Sequence, residues 1–176
     1  STTLSASGTG TAVGSTAAAI KGGTTVSLGS QAVALTFTPT AFTGDTTHPA
    51  LLVSQGALSL SGNIITVTNA AATKLGAGTY RLIQVTGGTI NGTPNAAPTI
   101  AGTGLATGTT AAISVSGGNV NLVVQNITTT TLAAVATPQT YGTVAFSATV
   151  SPSTAGGTVT FKDGTTTLGT GTLSGG

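Results

Sequence analysis

The stretch Leu51–Val85, LLVSQGALSLSGNIITVTNAAATKLGAGTYRLIQV, decides the fold, because apolar residues alternate in it with Ser and Thr around glycine-centred turns. Side chains two residues apart on a strand share a face, so Leu58–Leu60 is predicted to end one strand. The pair Gly62-Asn63 predicts a two-residue reversal, and Ile65–Val67 the returning strand. The stretch therefore predicts a hairpin followed by another strand, and nothing in it is suited to catalysis.

Composition supports an all-β chain. The 176 residues include 27 glycines and no glutamate, so few windows can sustain a helix. Threonine is abundant, and its branched Cβ fits a pleated surface. Without cysteine there are no disulfides and no thiolate chemistry, and the redox compartment stays open.

Charge is nearly absent, which bounds the expected partners. Only 3% of the residues are charged, against about a quarter in ordinary soluble domains. Four scattered cations form no basic patch, so nucleic acid is not an expected partner. No apolar run of about 18 residues is present, so we expect no insertion into a membrane. The chain begins at Ser1 without Met, which is typical of an exported, processed product or a piece of something longer.

The first half carries three further local signals. Ser1–Ser30 is rich in Gly, Ser and Thr and is interpreted as a leader or a strand-donor segment. Ala32–Thr38 alternates strictly and predicts a half-buried strand that Pro39 ends. In the loop Thr43–Pro49, Asp45 is expected to cap its own backbone turn.

Two patterns recur along the chain. Ile113–Val124, ISVSGGNVNLVV, repeats the pattern of LSLSGNIITV at Leu58–Val67, and LGAGTY at Leu75–Tyr80 is echoed by LATGTT at Leu105–Thr110. The two spacings differ, so we expect similar hairpins around one core rather than a repeat of fixed period.

The texture changes near Asn126, where a threonine run begins. From Val144 apolar residues alternate strictly, and Asp163-Gly164 predicts a tight hairpin. The prediction is three parts: residues 1–30 as the leader or donor, 31–126 as a β-sandwich-like module, and 127–176 as a partial module.

The last part resembles bacterial Ig-like repeat domains. The resemblance rests on TTTTL at Thr128–Leu132, YGTVAFSATVSP at Tyr141–Pro152 and GTVTFKDGTTTLGTGTLSGG at Gly157–Gly176. It implies a β-sandwich of roughly seven strands, of which this chain contains about half. A half-sandwich leaves strand edges open, and open edges invite another strand.

Gly22–Val124 resembles the module that precedes Ig-like repeats in bacterial proteins with autotransporter-associated β-strand repeats. The motifs are VSLGSQAVALTFTP, FTGDTTHPALLVSQGALSLSGN, LGAGTYRLIQ and SVSGGNVNLVV. The resemblance implies a parallel β-helix in an exported, repetitive, structural or adhesive protein. The two-residue turns favour antiparallel hairpins instead, since parallel strands need longer connections. We therefore predict an all-β chain with an antiparallel sandwich-like module and an incomplete Ig-like sandwich, with a parallel β-helix as the alternative first module.

No candidate constellation for catalysis emerges. His48 follows Asp45 by three residues, but a hydrolase also needs an activated serine, and no nucleophile elbow is present. Clusters of His and Cys that would bind zinc are missing. We predict no catalytic, metal or cofactor-binding residues and no cofactor. Tyr80 and Tyr141 are interpreted as core residues, with stacking on a sugar as the alternative.

The leading functional hypothesis is a structural protein of the cell exterior that associates with copies of itself. An extended segment of one copy, either Ser1–Ser30 or the C-terminal hairpin, would add to an open edge of the next. The alternatives are an adhesin or carbohydrate-binding module that recognises a cell-surface glycan, with its site in Thr43–Pro49 and Asn91–Pro98, and an inert spacer of a large repeat protein.

Overall fold

The computed structural model describes residues 3–7, 18–135 and 144–173 of the chain. Within these ranges there is no helix, and the all-β prediction is confirmed. The chain divides into two compact units, Ser1–Gln125 and Asn126–Gly176. The strands of the first unit are β1 (Thr3–Ser7), β2 (Ala18–Ser27), β3 (Ala32–Phe37), β4 (Leu51–Ser59), β5 (Ile65–Asn69), β6 (Gly78–Val85), β7 (Ile90–Asn91), β8 (Thr99–Gly102), β9 (Thr109–Ser116) and β10 (Asn119–Asn126), whose last residue already belongs to the second unit. The second unit continues with β11 (Thr129–Leu132), β12 (Ala148–Ser151), β13 (Thr158–Asp163) and β14 (Thr166–Thr172).

The first unit is a two-sheet parallel solenoid. Its first sheet has the order β1-β3-β5-β8, and every neighbouring pair in it is parallel. Its second sheet has the order β2-β4-β6-β10-β9, with β7 beside β4, and the pairs β2–β4, β4–β6 and β4–β7 are parallel. From β1 to β6 the strands alternate between the two sheets, so the chain winds in coils.

The antiparallel sandwich predicted for residues 31–126 is therefore wrong at its central hairpin. Leu58–Leu60 and Ile65–Val67 have the predicted buried faces, but β4 and β5 belong to different sheets. Gly62, with φ of +64°, turns a corner between the sheets rather than closing a hairpin. A hairpin and a corner between two sheets both need a short polar turn with a positive φ, so the local sequence pattern could not distinguish the two. The parallel alternative describes this unit.

The coils have similar lengths, although the recurring sequence patterns are unevenly spaced. Val26, Leu58 and Ile90 are successive partners across β2, β4 and β7, 32 residues apart. The echo of LGAGTY in LATGTT is also a stacking relation, because Leu75 and Leu105 form a parallel bridge. Other stacked partners lie 29 to 34 residues apart, so the unit is a solenoid of similar coils without one fixed period. Stacked positions share only apolar character, and this weakens the repeat in the sequence.

The core lies between the two sheets. The predicted strand at residues 32–38 is β3, with Val33, Leu35 and Phe37 fully buried, and it ends before Pro39 as expected. Phe37 packs edge-to-face on Tyr80 with ring centroids 6.0 Å apart. Burying each such side chain contributes about 1.5–3 kcal/mol, so the row of inward residues dominates the stability of the unit.

Buried asparagines tie the corners of neighbouring coils together. The side-chain amide of Asn63 donates to the carbonyls of Gly29 and Gln31, at 3.1 and 2.7 Å, and its oxygen accepts from the Ser61 amide at 2.8 Å. Asn63 is completely buried, so these bonds satisfy groups that water cannot reach. The corner at Asn63 is thus fixed to the corner before it.

The far end of the solenoid closes with a real hairpin. Gly117 and Gly118, with φ of +55° and +73°, join β9 to β10, and β10 runs antiparallel to β6. A two-residue connection makes β9 antiparallel to β10, so β9 runs in the same direction as β6. The amide of Ile113 in β9 donates to the carbonyl of Ala96 at 2.8 Å. The hairpin predicted at Ile113–Val124 is confirmed.

The second unit contains two small antiparallel sheets, β11–β12 and β13–β14. The hairpin predicted at Asp163-Gly164 is confirmed, with the turn one residue further on because Asp163 pairs with Thr166. The alternation from Val144 overestimates its strand, since β12 begins at Ala148. Among the described residues of this unit only Val150 is a buried apolar side chain.

Candidate functional site

Asp45 is the one charged side chain that is buried among the described residues of the first unit. Its backbone is held to β6, because the Asp45 amide donates to the Thr79 carbonyl at 2.9 Å and the Arg81 amide donates to the Asp45 carbonyl at 2.8 Å. Asp45 is 4% exposed. The sequence placed this residue in a loop capping its own turn, and the Asp45 carboxylate does accept from the amides of Thr47 and His48, at 3.1 and 3.2 Å.

Every donor around the Asp45 carboxylate favours its charged form. Thr40 donates its amide at 2.9 Å and its hydroxyl at 3.2 Å, the Thr47 hydroxyl donates at 3.0 Å, and His48 Nδ1 lies 2.9 Å from both oxygens. Burial acts to raise the pKa of Asp45, but the hydrogen bonds from Thr40, His48 and Thr47 outweigh it and hold that pKa far below its usual range. Asp45 is therefore a fixed anion that organises its loop.

His48 is oriented by Asp45 but faces no nucleophile. A carboxylate only accepts hydrogen bonds, so the Nδ1 atom that faces Asp45 is assigned as a donor. The two hydroxyls that reach the ring, those of Thr40 and Thr47, also approach Nδ1, at 3.1 and 2.9 Å. In a hydrolytic triad the attacking hydroxyl meets the other ring nitrogen. The geometry is that of a stabilised turn.

Tyr80 belongs to the core. Its side chain has no exposed surface, and its hydroxyl donates to the carbonyls of Phe42 and Gly76, at 2.6 and 2.8 Å. Burial raises the pKa of the Tyr80 hydroxyl. The alternative of stacking on a sugar is wrong for Tyr80, because the ring is inaccessible. Tyr141 lies outside the described residues.

The open strand edges are a second candidate site. In the described part of the chain, β1 pairs only with β3 and β2 only with β4, so each keeps one unpaired edge. Residues 1–30, interpreted from the sequence as a leader or donor, thus contain two strands that pair within their own chain. Unpaired amides and carbonyls along an edge form a template for another strand.

An apolar cleft in the second unit is the third candidate. A cavity of about 240 Å³ lies between its small sheets and is lined by residues that include Leu132, Phe146, Phe161 and Leu168. Phe146 stacks on Phe161 with ring centroids 6.3 Å apart. Leu132 and Leu168 are 58% and 54% exposed, so this surface lacks the cover that a domain core has.

Comparison with family models, with curated proteins and with solved structures finds no match to this chain. In the described ranges no helix is long and apolar enough to cross a membrane. Nor do those ranges bring three or more His, Asp or Glu side chains together where they would hold a metal ion.

Sequence reasoning found the loop of Asp45 but missed the edges of the first coil. Local periodicity identifies strands without saying which strands are neighbours. The signal that would have found the edges is the spacing of Val26, Leu58 and Ile90, which assigns β2 to the coil before β4.

Proposed function

We propose that this chain is a structural, self-associating protein of the cell exterior, whose copies join by adding strand to strand. The observation that carries the proposal is the first coil, where β1 and β2 each pair with described residues on one side only. Main-chain hydrogen bonds along such an edge supply affinity, and the alternating side chains select the register. The resemblance to exported repeat proteins supports the location.

The surface supports the same proposal. Two acids and four basic residues provide little like-charge repulsion to keep copies apart. The apolar cleft of the second unit adds a surface that association would cover. The solenoid itself is rigidly bonded from coil to coil, which suits a mechanical role.

Sedimentation velocity of the full chain over a wide concentration range, with electron micrographs of the same samples, tests the proposal. We expect dimers or larger particles whose fraction rises with concentration. Monomers at every concentration would contradict self-association and favour the spacer. Monomers that also give signals on a glycan array would favour the carbohydrate-binding alternative. Tyr80 would not contribute to such binding, because its ring is buried.

A further inference from the structure

The corner that follows β7 begins with an asparagine next to a glycine. Asn91 ends β7, Gly92 opens the corner, and both residues are exposed. The chain has seven asparagines, and Asn91 alone is followed by glycine. A side chain on the next residue shields that residue's amide nitrogen, whereas glycine leaves the nitrogen open to a neighbouring carbonyl carbon. Asn91 is therefore the asparagine whose side-chain amide a backbone nitrogen can reach most easily.

The fold requires glycine at position 92. Its φ is +75°, in the left-handed region that residues with a side chain rarely adopt. A Cβ on Gly92 would also overlap the carbonyl oxygen of Leu60 in the coil before it. Glycine here is a condition of the close stacking of coils, and the unshielded amide beside Asn91 is its consequence.

The side chain of Asn91 is held loosely. Its oxygen accepts a hydrogen bond from the Thr89 hydroxyl at 3.4 Å, which is long and weak. In contrast, the side-chain oxygen of Asn95 accepts from the Ala97 amide at 2.9 Å, and the buried Asn63 side chain makes three hydrogen bonds to the backbone. The Asn91 side chain can therefore turn toward the main chain at little cost.

The amide of Gly92 has no acceptor in the described part of the chain. β7 pairs in parallel with β4, and the Asn91 carbonyl accepts from the Leu60 amide at 2.8 Å. Backbone groups of successive strand residues point to opposite sides, so the Gly92 amide points away from β4. No described strand pairs with β7 on that side. The Gly92 nitrogen is thus free to act as a nucleophile once it loses its proton.

We infer that Asn91 is a site of spontaneous deamidation, in which the Gly92 nitrogen closes a succinimide ring on the Asn91 side chain. The deprotonated Gly92 nitrogen forms a bond to Asn91 Cγ, and the side-chain nitrogen leaves as ammonia. Water then opens the ring at one of its two carbonyl carbons. Opening at the side-chain carbonyl yields aspartate, and opening at the main-chain carbonyl yields isoaspartate. One water is consumed and one ammonia is released.

The hydrogen bond from Leu60 controls how fast the ring closes. An extended backbone holds the Gly92 nitrogen away from Asn91 Cγ, so closure needs rotation about the Cα–C bond of Asn91. This rotation breaks the bond between the Leu60 amide and the Asn91 carbonyl, which slows closure about two- to tenfold relative to the unfolded chain. β7 has only two residues, so this opening is local and leaves the core in place.

The two products differ in their effect on the solenoid. Aspartate adds a charge at the surface of a unit whose one acid, Asp45, is buried, and it leaves the main chain unaltered. Isoaspartate lengthens the main chain by one methylene, so the carbonyl of residue 91 no longer lies opposite the Leu60 amide. Isoaspartate should therefore detach β7 from β4 and lower the melting temperature more than aspartate does.

Peptide mapping by mass spectrometry, after incubation of the full chain at mildly alkaline pH, tests the inference. We expect conversion of the Asn91 amide to an acid at least about tenfold faster than at Asn95, which is also exposed but is followed by Ala96. The rate should rise with pH, because the attacking nitrogen must first lose its proton. Fragmentation that distinguishes the two acids should find both aspartate and isoaspartate at position 91.

Asn91→Gln is the matched control, because glutamine is one methylene longer and must close a larger ring. This variant should keep the hydrogen bond from Leu60 and the melting temperature of the parent chain, with no conversion at position 91. Equal rates at Asn91 and Asn95, or conversion of Asn91 only in urea, would overturn the inference. Aspartate without isoaspartate would show direct hydrolysis and would overturn the succinimide route.

Discussion

Asp45 is a buried charged residue that organises a loop, in a chain with very few charged residues. Its carboxylate draws the amides and hydroxyls of Thr40 and Thr47 and the ring of His48 onto one point, while its backbone binds β6. A hydrogen bond to a charged group contributes about 1.5–3 kcal/mol, so the several hydrogen bonds to this carboxylate together outweigh the cost of burying its charge.

Asp45→Asn should lower the free energy of unfolding at pH 7 by about 2–3 kcal/mol, because the amide of asparagine opposes the donors around it. The folded pKa of Asp45 is depressed, so its contribution is complete above the unfolded pKa of about 4 and is lost as pH falls below that value. Melting temperatures measured from pH 7 down to pH 2 should therefore fall steeply below pH 4 in the parent chain.

Asp163→Asn is the matched control for the acid range, since Asp45 and Asp163 are the only acidic side chains. We expect the control to keep the steep fall and Asp45→Asn to lose most of it. A steep fall that survives in Asp45→Asn would show that the carboxylate does not act as described.

Asn63→Ala should cost about 2–3 kcal/mol of unfolding free energy, because it removes three hydrogen bonds made by a fully buried side chain, each worth about 1 kcal/mol. Asn95 occupies the next corner, where it is exposed and its side-chain oxygen accepts from the Ala97 amide. Asn95→Ala should cost less than about 1 kcal/mol. Urea unfolding of the three chains measures the difference, and equal costs would contradict the role of Asn63.

At the scale of elements, the corners of the coils constrain the chain more tightly than the strands do. Gly102 and Gly104 both have positive φ, +69° and +74°. A Cβ on Gly102 would overlap the carbonyl oxygen of Asn69 in the coil before it, whereas nothing lies within 4 Å of one on Gly104. Substitutions at these two glycines therefore distinguish the effect of backbone strain from the effect of contact between coils.

Gly104→Ala should destabilise the protein by about 1–2 kcal/mol through strain alone. Gly102→Ala should cost on the order of 1–3 kcal/mol more, because the coils must also move apart. Thermal unfolding followed by circular dichroism checks the order. A Gly102→Ala chain as stable as Gly104→Ala would mean that the corner yields easily.

The strands and turns also show which features of the fold could be predicted from the sequence. Alternation identified β3 and its inward residues, and Asp-Gly identified the turn between β13 and β14, because both features depend on residues close in the chain. The partnership of β4 with β2 and β6 depends on residues about 32 positions apart, which share only apolar character. The loop of Asp45 could be predicted because its signal lies in residues close together in the chain. The open edge was missed because strand pairing depends on residues far apart in the chain.

The whole molecule combines a well-packed unit with a sparsely packed one. The first unit buries rows of apolar side chains from both sheets, whereas Val150 is the buried apolar residue among those described in the second. A unit with so little core is marginal by itself. Association that covers its cleft would therefore stabilise it.

Hydrogen exchange should reveal this contrast. Amides of β4 and β6 should exchange at least about 100-fold more slowly than those of β13 and β14, since protection follows local stability. Mass spectrometry of peptides from the exchanged full chain measures both. Exchange at dilution and at high concentration should differ most in segments that association covers, and uniform protection throughout would contradict the contrast.

The 32-residue stacking of Val26, Leu58 and Ile90 has a consequence for how such a chain changes length. Removing or duplicating one complete coil returns the backbone to the same corner, about 4.8 Å along the axis, with its first coil and its capping hairpin unaltered. A gain or loss of a few residues in a strand instead shifts every stacked partner after it. Length variants of this solenoid should therefore come in whole coils, so its length changes in steps of one coil.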